Sequence, residues 1–92
     1  MTINELYQII IDRQQNAPAG SYVASLFNEG NDRIIQKVGE EAVEVVIAAK
    51  NDSKELTVSE MADLLFHLLV LMAAKDITPN EVMSELDARH SS

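Results

Sequence analysis

Residues 39–49, GEEAVEVVIAA, constrain this chain more than any other stretch. They have the composition of a helix that buries itself, yet Glu40, Glu41 and Glu44 sit in its middle. A folded chain does not leave ionised carboxylates dry and unpartnered. It neutralises them, pairs them or gives them a metal ion. The fold must therefore supply both an apolar enclosure and a use for the acids.

Ninety-two residues allow a single domain over 1–92, one core, and burial of only about 60–65% of the unfolded surface. The chain has no cysteine, so disulfides and thiolate metal sites are excluded and a cytoplasmic life is expected. Oligomerisation is the expected source of extra buried area. With 47% hydrophobic but only 4% aromatic residues, the composition favours an all-α domain. The formal charge of −8 argues against nucleic-acid backbones and anionic membranes as partners. An anionic small substrate would need a cation to mediate its binding. The N-terminus has no signal-peptide pattern, and the longest apolar run, 64–74, is too short to span a bilayer.

Capping signals divide the sequence into four main helices and one short one, arranged as a bundle of helical hairpins. Thr2-Ile3-Asn4-Glu5 is a capping box that starts a helix near Ile3, and Ala17-Pro18-Ala19-Gly20 stops it by Asn16. Ser21 caps a short helix through Asn28, closed by Gly30 in a left-handed conformation. Asn31 or Asp32 opens a long helix to about Lys50. After Asn51-Asp52-Ser53, Asp52 caps the next helix, which runs to about Lys75. Thr78-Pro79-Asn80-Glu81 starts a last helix over 79–89, beyond which 90–92 fray.

At ~100° per residue, Ile34, Val38, Ala42, Val45 and Ala49 form one apolar stripe, with Val43 and Ile47 on the far side. Two apolar faces imply a second packed layer or a dimer interface. Glu41 and Glu44 share an edge between them, and Arg33 and Lys37 lead into that edge. Glu40 lies further round, open to the site or to the outer surface. On the following helix, Glu60, Asp63 and His67 form the only polar stripe in an apolar segment expected to be enclosed by protein. In an antiparallel hairpin Glu44 and Glu60 both lie roughly 10–12 Å from the turn, with Glu41 and Asp63 about one turn beyond. Four carboxylates then converge on one point, and only a cation relieves their repulsion. Oxygen-only donors suit hard cations, of which Mg²⁺ is the usual choice beside phosphates.

Each residue also has a plainer reading. Lys37 and Glu41 make an ordinary ion pair on an exposed helix face, and Arg33 is solvated. Glu60 and Asp63 favour a helix N-terminus. His67 is a hydrogen-bonded core residue rather than a neighbour of a metal, Ser21 and Tyr22 serve capping and packing, and Met61, Met72 and Met83 fill core or interface. The convergence of both acidic pairs weighs against the first two of these.

The run SYVASLFNEGNDRIIQKVGEEAVEVVIAA, then EMADLLFHLLVLM and a final ELDARH, closely resembles the phosphoribosyl-ATP pyrophosphatases of histidine biosynthesis. These belong to the MazG-like all-α nucleoside triphosphate pyrophosphatases. The resemblance covers about 6–90; the ExxE…ExxD frame is general to the superfamily, whereas the Ser-Tyr…Asp-Arg…Lys…Gly-Glu-Glu run is narrower. Nothing in the 92 residues corresponds to the cyclohydrolase domain fused to some relatives. The resemblance implies hydrolysis of 1-(5-phosphoribosyl)-ATP to 1-(5-phosphoribosyl)-AMP and pyrophosphate. It implies Mg²⁺ on Glu41, Glu44, Glu60 and Asp63, with Glu40 an additional ligand or base, and Glu41 or Glu44 as the group that takes a proton from water. Arg33 and Lys37 would hold phosphate, and the segment 21–31, with Ser21 and Tyr22, would line a substrate pocket completed by a partner subunit. Two other readings use the same residues: a house-cleaning pyrophosphatase of ordinary or damaged nucleoside triphosphates, and a non-enzymatic helical dimerisation module.

Overall fold

Four helices begin where a side chain caps the first turn, and a fifth begins at a glycine. In the computed structural model, which describes residues 1–90, α1 spans Ile3–Asn16, α2 Tyr22–Glu29, α3 Asn31–Lys50, α4 Lys54–Ala74 and α5 Pro79–His90. The fold is all-α, and no strand occurs among the described residues. Thr2 and Glu5 form the expected reciprocal capping box, and Thr78 and Glu81 exchange the same bonds at the start of α5. Ser21 caps α2, its hydroxyl accepting from the Ala24 N–H at 3.1 Å.

Several ends differ from expectation for local reasons. Ala17, not a glycine, takes the left-handed position that closes α1, at φ 41° and ψ 55°. Gly30 has φ 104° and ψ 172°, an extended positive-φ state rather than a left-handed helical one, so one residue both closes α2 and opens α3 without a side-chain cap. Ser53 rather than Asp52 caps α4, because Asp52 is turned to φ 58° inside the tight connection and the Ser53 hydroxyl receives the Leu56 N–H. The short helix extends one residue past Asn28, and α5 includes His90. The expected fraying at 91–92 falls outside the described residues.

The core is built from one face of each of the first four helices: Tyr7 and Ile10, Val23 and Leu26, Ile34, and Leu69, Val70 and Ala73. The Tyr7 hydroxyl satisfies itself on the Ile77 carbonyl at 2.7 Å and so ties α1 to the loop before α5. The α3–α4 hairpin is the most extensively packed pair of elements, and α5 buries only Pro79. On α3 the buried stripe is turned toward Glu41. Ala48 is buried and Ala49 exposed, the reverse of the expected register at that end.

The C-terminal part of α4 was expected to be enclosed, but Leu65 and, one turn earlier, Met61 face outward. Val43 and Ile47 are exposed as expected, joined by Ile35 and Val46 on α3 and by Leu56 and Val58 on α4. A single chain of five helices has too few elements to cover these faces. Its surface is 6330 Å², against roughly 5,300 Å² for a compact monomer of 10.2 kDa. The radius of gyration, 14.4 Å, likewise exceeds the ~12 Å of a compact domain of this length. Although 64–74 alone is short, the whole of α4 is long and apolar enough to cross a membrane by length and composition, a test that core helices also pass. Of the polar stripe of this helix, Glu60 and Asp63 lie against Glu41 of α3, and His67 meets Tyr22 of α2.

Candidate active site

The α3–α4 hairpin places the acids by register. Counting back from the turn along α3 and forward along α4 brings Glu41 opposite the Glu60–Asp63 turn, and one ligand oxygen from each of Glu41, Glu60 and Asp63 lies within 4.8 Å of the others. Glu44 is exposed and stands outside this trio, but its charge still reaches Glu60. Partial burial, followed by the charges of Asp63, Glu44 and Glu41, raises the Glu60 carboxyl above the usual carboxylate range. The neighbouring charges add to the effect of burial, and a hard cation among these oxygens would offset them. Three convergent oxygen donors from two rigid helices fit such an ion.

Lys37 flanks the cradle from the preceding turn of α3. Its ammonium sits 3.2 Å from Glu41 and 3.6 Å from Glu40, with the Lys37 and Glu41 side chains only 17% and 13% exposed. The bond to Glu41 is the main influence holding the ammonium above its ordinary pKa; partial burial opposes it, and the Tyr22, Glu41 and Glu40 charges add to it. The pair expected of an open helix face is thus a half-buried one. Arg33 reaches Glu40 at 3.6 Å, and the Gln36 amide donates to the same carboxylate at 2.8 Å. Glu40 therefore collects Arg33, Gln36 and Lys37 on the outer edge, away from the trio.

A link absent from the sequence reading joins α2 to α4. His67 is 5% exposed, and both its ring nitrogens are bonded: Nδ1 lies 2.7 Å from the Asp63 carbonyl oxygen, and Nε2 lies 2.9 Å from the Tyr22 hydroxyl. Phe66 stacks on Tyr22 at 6.3 Å and meets His67 edge-on at 5.2 Å. The expectation of a satisfied core histidine holds, and the same residue also touches a site residue on each side. Tyr22 stands 45 positions away in the chain, so only His67's solitary polarity hinted at a partner. Ser21, capping α2, is half-buried beside Tyr22.

An acidic cradle on facing helices with basic groups at its rim suits an all-helical hydrolase of the phosphoanhydride kind. The chain belongs to the phosphoribosyl-ATP pyrophosphohydrolase family, whose model matches residues 3–90. It is 54% identical over 87 residues to the phosphoribosyl-ATP pyrophosphatase of Pelotomaculum thermopropionicum, covering 95% of this chain and 89% of that one. Against the phosphoribosyl-ATP pyrophosphatase of Methanosarcina barkeri the identity is 48%, over 98% of this chain and 88% of the other. The histidine biosynthesis bifunctional protein HisIE of Caldanaerobacter subterraneus subsp. tengcongensis is 51% identical over 96% of this chain, which matches 43% of that longer protein.

Proposed function

We propose that this chain hydrolyses 1-(5-phosphoribosyl)-ATP between its α and β phosphates in the second step of histidine biosynthesis, in the cytoplasm and with Mg²⁺. The observation that carries the reading is the convergence of Glu41, Glu60 and Asp63 beside Lys37. Those three carboxylates and Glu44 would hold the ion. When bound, Mg²⁺ neutralises phosphate oxygens, favours pyrophosphate as leaving group and makes a water easier to deprotonate.

The chain's own groups do the rest. Lys37 and Arg33, now resting on Glu41 and Glu40, exchange those partners for phosphate oxygens as substrate enters. Glu41 or Glu44 accepts the proton of the attacking water, and Glu44, outside the trio, is the freer of the two. The water oxygen bonds to the α phosphorus, the bond from that phosphorus to the bridging oxygen breaks, and pyrophosphate leaves. Ser21 and Tyr22 line the nucleotide side of the pocket. The uncovered apolar faces of α3 and α4 support a homodimer or higher oligomer, with the partner completing that pocket.

The test is a substrate panel with and without Mg²⁺. Phosphoribosyl-ATP should be converted to phosphoribosyl-AMP and pyrophosphate, with activity abolished by EDTA and each deoxynucleoside triphosphate turned over far more slowly. A preference for a deoxynucleoside triphosphate would instead mark a house-cleaning enzyme.

A further inference from the structure

The bonds around His67 have a fixed direction. A carbonyl oxygen only accepts, so the nitrogen facing the Asp63 carbonyl, Nδ1, carries the ring proton and donates. The other nitrogen of the neutral ring, Nε2, is then an acceptor, and the Tyr22 O–H must donate to it. This commits the phenolic proton inward. With its proton so placed, the hydroxyl of the half-exposed Tyr22 has only oxygen lone pairs left to offer. That oxygen cannot donate to a phosphate; it receives a donor.

We infer that His67 is a positioning residue for the nucleotide: through its bond to Tyr22 it fixes the tyrosine hydroxyl as an acceptor for an N–H or O–H of the substrate's base or ribose. Three observations support this beyond the bond itself. His67 is buried and Tyr22 is 49% exposed, so the histidine acts only through the tyrosine. The Asp63 carbonyl that orients the ring belongs to a residue of the acidic trio, so the hydroxyl is held at a fixed distance from that trio. Phe66 stacks against one side of the phenol ring, with centroids 6.3 Å apart. Phosphates are left to Lys37 and Arg33, and the base or sugar end to Tyr22, a division of labour that a nucleotide site needs.

This inference rests on the nucleotide-hydrolase reading above, and steady-state kinetics on phosphoribosyl-ATP with Mg²⁺ separate the two. Tyr22→Phe removes only the hydroxyl from a half-exposed residue, so it tests the idea whatever His67 variants do to stability. A lost hydrogen bond should raise KM about five- to tenfold, with the loss carried by KM rather than kcat. His67→Asn keeps a donor for the Asp63 carbonyl but falls short of Tyr22, and should raise KM equally. The Tyr22→Phe, His67→Asn double variant should be no worse than either single one. His67→Gln, whose amide oxygen falls near the Nε2 position, should recover most of the loss. Unmoved KM in Tyr22→Phe, multiplying effects in the double variant, or His67 variants that lose only thermal stability would each overturn the inference while leaving the pyrophosphatase reading intact. A wild-type protein inert toward phosphoribosyl-ATP would overturn both.

Discussion

Glu41 stands between a lysine and two further acids. Its carboxylate holds the Lys37 ammonium at 3.2 Å and also faces Glu60 and Asp63, so in the proposed reaction ion binding and phosphate binding would both begin by loosening the same pair. Glu60 carries the cost of partial burial beside other acids. Because its carboxyl is raised, the folded metal-free protein holds that proton more tightly than the unfolded chain does. The stability linked to that proton is fully present below the ordinary glutamate range and is lost as pH rises through the raised value. Glu60→Gln should therefore melt higher than wild type at neutral pH in EDTA, with the difference vanishing toward pH ~4. Added Mg²⁺ should raise the melting temperature of wild type and leave the variant nearly unmoved. Of the four carboxylates expected to converge, the structure groups Glu41, Glu60 and Asp63, which were legible because helical register is arithmetic, and leaves Glu44, expected opposite Glu60, outside. The pairing of Glu40 with Arg33 and Gln36 was not legible, since long side chains choose partners within a turn in either direction. Nor was Tyr22 with His67, which only tertiary packing brings together.

The elements were read more fully than the residues, because caps are local chemistry. Thr2-x-x-Glu5, Ser21 and Thr78-Pro79 all act as their sequences imply. Ends fixed by backbone geometry were harder to read. Asp52 and Ser53 are adjacent residues that both favour caps, and the tight turn, which sends Asp52 to positive φ, decides between them. The buried face of α3 likewise depends on how α4 leans against it, which shifts burial from Ala49 to Ala48. Gly30 is the junction that matters most for the site, since it joins the helix of Tyr22 to the helix of the carboxylates. A Cβ there meets open space, so the cost of Gly30→Ala is backbone strain alone. With φ 104° and ψ 172° that cost is about 1–3 kcal/mol, a fall in melting temperature of roughly 4–8 °C per kcal/mol in a domain of this size. Thermal denaturation followed by circular dichroism measures it. A loss no larger than that of an exposed surface substitution would remove the strain from Gly30.

At the scale of the whole molecule, the two apolar faces of α3 were legible as a pattern, and the structure leaves the outer one uncovered through Val43, Val46 and Ile47. What covers it was not legible, because a helical period tells which residues are apolar and not which chain meets them. An oligomer built on that face should melt at a temperature that rises with protein concentration, and Val46→Glu should abolish the dependence and shift the light-scattering mass to that of one chain. A concentration-independent melt with a single-chain mass in wild type would remove the oligomer. The reading of the whole chain, however, rests on the hairpin, where two helices held by ordinary packing bring distant carboxylates to one point. Turnover of phosphoribosyl-ATP by Asp63→Asn in saturating Mg²⁺ tests this most directly, because Asp63 is exposed and its loss leaves the core untouched. The expected result is a folded helical protein whose kcat/KM has fallen at least about a hundredfold. Wild-type turnover in that variant would mean that the acidic cradle is not the site.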